Sequence, residues 1–181
     1  MNLLTCVDYS GDKHTGAKIK ENDPAAKLKT VNISAPNGDW FVFYPDKGRG
    51  KPPIMSPLLA VGGNHQHHRA CDAVIVVLKE AKLKLIFIEL KSASPSCYTG
   101  QFQSTRQFTR YLLGLLNEFQ GISFKIEERF ILFHTPKMQK ILLDKTPTYW
   151  RNTKSFSTDP KNPQKEVVQD GITIFLKQLL I

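Results

Sequence analysis

Cysteine is scarce in this chain. The three present, Cys6, Cys71 and Cys97, are scattered, odd in number and without a C-x-x-C pair. That pattern argues against a disulfide framework, a zinc ribbon or a cysteine-ligated iron–sulfur cluster, and fits a reducing cytosol. Long apolar runs are missing too. The opening MNLLTCVDYSGDK has no hydrophobic segment long enough for a signal peptide, and no later stretch is long and apolar enough for a membrane helix. The expectation is a cytoplasmic protein with no membrane partner. Acidic residues are outnumbered: 16 Asp and Glu stand against 25 Lys and Arg, giving a formal net charge of +9 and a pI near 9.5. A basic excess of that size makes a polyanion the natural partner, nucleic acid ahead of a membrane surface, although charge alone serves solubility equally well.

What remains is ordinary globular composition. The 181 residues are 41% hydrophobic and 23% charged, enough for one domain with a real core, and we read residues 1–181 as a single domain. There is no internal repeat. Residues 8–29 are polar and Lys-rich and read as loop or a short helix. TVNISAPNGDWFVFYP reads as a hairpin over about 30–44, two β-rich runs around a Pro-Asn-Gly turn. Residues 45–70 are Gly-, Pro- and His-rich loop. Two β-branched runs follow, about 72–78 and 83–90, then helical spacing over 100–120 ending on Gly121, a plausible C′ residue. RFILFH (129–134) reads as a strand, KMQKILLDK as a short amphipathic helix, and 145–165 as a long surface loop. GITIFLKQLLI closes the chain as strand or helix. Strands, helix, strand in that order predict a mixed α/β fold around a central sheet, with the core at about 70–135.

The stretch LKLIFIELKSAS (83–94) carries the first chemical signal. Side chains alternate along a strand, so Leu85, Phe87, Glu89 and Lys91 share one face, and Ile86, Ile88 and Leu90 the other. If Glu80 and Ala81 make the turn, Lys79 pairs with Lys82, and counting back sets Asp72 opposite Glu89. Facing Cβ atoms in such a pair lie about 4.5–5.5 Å apart, and two like charges there destabilise unless something positive sits between them. A divalent cation with oxygen ligands is the simple solution. Lys91 reaches the same spot from the same face.

Asp72, a strand, then Glu89-Leu90-Lys91 at the end of its hairpin neighbour resembles the PD-(D/E)XK nucleases, the restriction-endonuclease-like superfamily. QFTRY adds Gln107 and Tyr111 four residues apart on one helix face, similar to the Q-x-x-x-Y motif of the RecB-like branch. The resemblance covers about residues 70–115. It implies a mixed central sheet flanked by helices, and a nuclease that hydrolyses phosphodiester bonds, in DNA before RNA, with Mg²⁺ or Mn²⁺. Asp72, Glu89 and the backbone carbonyl of Leu90 would hold the metal, and Lys91 would orient or help deprotonate the attacking water and offset charge. Gln107 would buttress the site or touch substrate. Gln103, Tyr111, His67, and the basic Arg106, Arg110, Lys47, Arg49 and Lys51 would contact nucleic acid.

Some positions depart from the family pattern. Cys71 stands where a proline often precedes the Asp, and a literal Pro45-Asp46 lies far upstream, ahead of a glycine-rich loop. Family members often add an upstream helical Glu. Glu21 is the only Glu before the hairpin, and its ENDP setting does not suit a helix, so it is not assigned. Alone, Tyr111 within YLLGLL fits a core position, and Gln101 fits a helix start. His65, His67 and His68 sit close on a loop without a fourth ligand, which suits substrate contact or plain surface better than zinc. His134, ending a strand, reads as structural. Two alternatives stay open: a nucleic-acid-binding or assembly module that keeps the fold without turnover, and a ribonuclease. The chain is too short for a motor or recognition domain, so a homodimer or a partner protein is expected to supply specificity.

Overall fold

The most apolar part of the chain forms an antiparallel hairpin, β5 (Ala73–Lys79) with β6 (Lys82–Lys91). Lys79 pairs with Lys82 and Ala73 with Ile88, the expected register. Glu80 turns the chain at φ 52, the positive value that tight two-residue hairpin loops favour. This computed structural model describes residues 7–8, 15–36, 38–47, 49, 54–56, 58–62, 66–80, 82–92, 96–135 and 156–181.

A long helix, α1 (Tyr98–Gln120), leads from β6 to its parallel neighbour β7 (Lys125–His134). Parallel pairing needs such a crossover, because a tight turn can only reverse direction. Gly121 closes α1 at φ 64, its N–H bonding the Asn117 carbonyl at 3.0 Å; only glycine takes that backbone cheaply. With β1 (Val7–Asp8), β4 (Trp40–Phe43) and β8 (Gln164–Val167) the main sheet runs β1-β4-β5-β6-β7-β8. A second sheet of β2 (Gly16–Lys20), β3 (Thr30–Ser34) and β9 (Ile172–Phe175) has the order β2-β3-β9. A four-residue helix, α2 (Leu176–Leu179), follows β9.

Alternation on β6 decides what each face covers. Ile86, Ile88 and Leu90 join Ile19, Val31, Ile33 and Ile174 in a core between the two sheets. Leu85 and Phe87 join Val74, Phe102 and Phe130 under α1, where Phe87 stacks on Phe130 at 4.7 Å and Phe102 meets Phe130 edge-on at 5.5 Å. Truncating a buried Phe such as Phe130 to Ala removes about 3–5 kcal/mol. The central strand is thus covered on both sides, and a charged residue on it has no route to bulk water unless the strand end opens.

The expected hairpin over 30–44 is not formed. β3 pairs with β2 and β9, whereas β4 pairs with β1 and β5. Val31 and Ile33 on one strand, Trp40 and Val42 on the other, face the same core from opposite layers. Their connection therefore crosses between sheets, braced by Trp40 Nε1 donating to the Pro36 carbonyl. Alternation identifies a buried face but not the partner strand. The 8–29 stretch holds a strand, β2, that its polar composition hid: only Ala17 and Ile19 turn inward. The closing segment is both strand and helix, β9 then α2. The KMQKILLDK helix, and 145–155 of the expected loop, lie outside the described residues.

Candidate active site

The segment ahead of β5 is stitched to the first turns of α1. Gln101 Nε2 donates to the Ala70 carbonyl at 3.1 Å, Ser104 Oγ to the His67 carbonyl, and the Cys71 N–H to Thr105 Oγ1 at 2.9 Å. A proline at 71 would lack that N–H; cysteine keeps it. Burial and the neighbouring Glu89 carboxylate push the Cys71 thiol up, so it stays neutral. Gly100 permits the approach: a Cβ there would sit 2.6 Å from the Gln66 Cβ.

This seam delivers Asp72 to the end of β6. The Asp72 N–H donates to Glu89 Oε2 at 3.2 Å, and the Leu90 N–H donates to Asp72 Oδ2 at 2.6 Å. Glu89 is 0% exposed, and the Lys91 ammonium forms an ion pair with its Oε1. Burial raises the Asp72 carboxyl well above the usual range, with the Glu89 charge adding to it. Burial also raises Glu89, to about 7, against the pull of Lys91. For Lys91, burial works downward but is outweighed by Glu89, and the ammonium ends above its ordinary value. Lys91 is therefore protonated at neutral pH.

Two residues that the sequence left unassigned belong here. Glu21 follows β2 in a loop rather than a helix, its N–H on the Lys29 carbonyl and its Oε1 accepting from the Asp23 N–H. Its negative charge raises both Asp72 and Glu89. The loop reaches the site because the Lys27 N–H donates to Ser92 Oγ, next to Lys91. No local pattern announces this, since Glu21 follows a strand of the second sheet and Glu89 lies in the first. Gln101 donates to the Ala70 carbonyl and helps hold the Glu89 carboxyl down against burial, and its Oε1 is buried without a hydrogen-bond partner among the described residues. Its signal was available: it precedes the sheet-facing Thr105 by one helical turn.

Other expected residues gather one step away. His67, Gln103, Gln107 and Tyr111 line a cavity of about 920 Å³ between α1 and the 54–67 segment, with Phe108 and Leu58 in its walls. Gln107 lies six residues from Gln101, about 9 Å along the helix axis, and on another face; it borders the cavity rather than the carboxylates. Tyr111 is 61% exposed, not core, because α1 outruns the sheet and none of its residues past Thr109 is fully buried. His68 Nδ1 accepts from the Met55 N–H at 3.1 Å, so its Nε2 carries the proton donated to the Ala60 carbonyl. His67 Nε2 reaches the same carbonyl at 2.9 Å.

The basic residues divide. Arg106 and Arg110 turn to the other flank of α1 and share Glu128, with contacts of 2.6 to 3.0 Å; that pairing holds the Glu128 carboxyl below its usual value against burial. Arg49 pairs with Asp46 and donates to the His68 carbonyl at 2.6 Å, so it braces the loop. Lys47 is exposed, 6.0 Å from the Tyr44 ring centre. Lys51 and His65 lie outside the described residues. His134 ends β7 in register with Lys91, its Nδ1 close to the Thr135 carbonyl.

Among the described residues no group of three or more His, Cys, Asp or Glu is placed to hold a metal ion, and no helix is long and apolar enough to cross a membrane. No family model, curated protein or solved structure matches the chain.

Proposed function

We propose that this protein is a metal-dependent nuclease of the restriction-endonuclease-like kind, hydrolysing phosphodiester bonds in DNA. The observation that carries this reading is the meeting of Asp72, Glu89 and Lys91 at one strand end. A buried carboxyl and a half-buried one are held together by hydrogen bonds with a single ammonium beside them. Such a pair is costly without a further cation. The β-hairpin, the crossover helix and the parallel third strand also follow the order expected of that superfamily.

The donor set suits a hard divalent ion. Mg²⁺ binds through one or two carboxylates, keeps several waters and takes the rest of its shell from substrate phosphate. Asp72 and Glu89, with the Leu90 carbonyl, would hold Mg²⁺ or Mn²⁺. When bound, the ion supplies an acidified water and a polarised phosphoryl oxygen. Lys91 orients the attacking water and offsets charge developing on the phosphoryl group. Gln101 ties the first turn of α1 to the chain just ahead of Asp72, and Glu21 adds negative field that favours a cation at the site.

The test pairs binding in chelator with cleavage time courses in Mg²⁺ and Mn²⁺ on single-stranded DNA, duplex DNA and RNA. Asp72→Asn and Glu89→Gln should each cut the rate by about 100-fold or more, since a metal ion is worth several kcal/mol. Each should bind DNA as well as wild type or slightly better without metal, a repelling carboxylate having gone. Wild-type binding without cleavage in either metal would make the chain a binding module. Cleavage of RNA alone would make it a ribonuclease.

A further inference from the structure

The cavity along α1 has walls of one chemistry and an address of another. Phe108 is fixed by stacking on Phe43 at 6.1 Å. Tyr111, three residues on, stands exposed beside it as a second flat surface. Gln103 and Gln107, four residues apart, aim at the same space, and neither carboxamide bonds another described residue. Leu58, 92% exposed, projects at the wall. Among the described residues no Asp, Glu, Lys or Arg lines the cavity, although the chain as a whole is strongly basic. These walls offer a phosphate no charge. A flat, neutral ring with donors and acceptors on its edge would find aromatic faces and carboxamides that both donate and accept.

The address is the substrate strand. His67 on the cavity wall precedes Asp72 by five residues, a reach of at most about 18 Å. Gln101, on the helix that carries Gln103 and Gln107, donates to the Ala70 carbonyl, two residues before Asp72.

We infer that this cavity receives an unpaired nucleobase of the strand whose phosphodiester lies at Asp72 and Glu89, so that the substrate is single-stranded or locally opened nucleic acid. The inference rests on the nuclease reading and adds its substrate class. Unstacking a base from a duplex costs a few kcal/mol, least at frayed or single-stranded positions, and an exposed apolar residue such as Leu58 serves as the wedge. The volume, about 920 Å³, lies inside the ~300–1,000 Å³ range of small-ligand sites and accommodates a base with its sugar.

The experiment compares, in chelator, the affinity for a single-stranded DNA octamer with that for an octamer of the same backbone lacking every base. Wild type should favour the base-bearing strand by about 5- to 150-fold, the worth of one stacked base. In Tyr111→Ala and in Gln103→Leu/Gln107→Leu the preference should fall towards one. The salt dependence, which reads phosphate contacts, should stay unchanged. Tyr111 and Gln107 are exposed, so a maintained thermal midpoint checks folding. Equal wild-type affinity for the two strands, or a preference the variants keep, overturns the inference. So does concentration-dependent dimerisation lost in these variants, which would make a second copy the occupant. Cleavage in Mg²⁺ without base preference overturns this inference and leaves the nuclease reading standing. Base-dependent binding without cleavage does the reverse.

Discussion

Glu89 concentrates the electrostatics of the site. Its carboxyl, fully buried, is raised to about 7 from an ordinary 4.5. Between those values the unfolded chain has released a proton that the native protein still holds. Metal-free stability must therefore fall as pH rises through that window, by at most about 1.4 kcal/mol per pH unit for each proton involved. Asp72, raised for the same reason, adds to the fall. Thermal unfolding in chelator should show a lower midpoint at pH 8 than at pH 5. Glu89→Gln should flatten that difference, and Glu21→Gln should reduce it partly, because Glu21 raises both carboxyls. A Glu21→Gln profile identical to wild type would place its carboxylate outside the site's field.

Helix α1 does two jobs along its length, and its glycines report them. Gly100 lies where the 66–72 segment crosses the helix, and an added methyl would meet Gln66 at 2.6 Å. Gly114 lies past the sheet, exposed, with nothing within 4 Å of the same position. Gly114→Ala should stabilise by about 0.5–1 kcal/mol through helix propensity. Gly100→Ala should destabilise by about 1–2 kcal/mol, overpacking outweighing the propensity gain. It should also slow cleavage, because the displaced segment carries Asp72. Chemical denaturation measures both, and Gln66→Gly should restore the Gly100→Ala protein. Stabilisation by Gly100→Ala would mean that the seam is loose.

Across the whole molecule, +9 of formal charge is not all available to a polyanion. Arg106 and Arg110 are held by Glu128, and Arg49 by Asp46 and the His68 carbonyl. Lys47 has no such anionic partner among the described residues. Affinity for DNA should fall steeply with salt and differ little among sequences. Lys47→Gln should reduce the log–log salt slope by about 1 if it contacts phosphate. Arg49→Gln should leave the slope near its wild-type value and instead weaken base-dependent binding, by loosening the cavity wall. Glu128→Gln, freeing two guanidinium groups, should steepen the slope. An unchanged slope in Lys47→Gln removes that loop from the phosphate footprint.

Local pairing was within reach of the sequence because it depends on neighbours. Alternation on 83–91 and a two-residue turn were enough to bring Asp72, Glu89 and Lys91 together, and apolar spacing with Gly121 was enough for α1. The mixed α/β class followed from the order of those elements. Long-range choices were not legible. Whether β3 and β4 pair with each other or serve separate sheets depends on which layers bury Val31 and Trp40 together, and the strand pattern is the same either way. Glu21 joins the carboxylates only because the 21–29 loop crosses from the second sheet to the end of β6. Tyr111 looked like core beside four leucines, and became surface because α1 is longer than the sheet beneath it. Arg106 and Arg110 looked free until Glu128, eighteen residues beyond the second of them, met both. Periodicity states which face of an element is apolar; the partner that covers that face, and the charges that arrive with it, are decided by packing of segments distant in the chain.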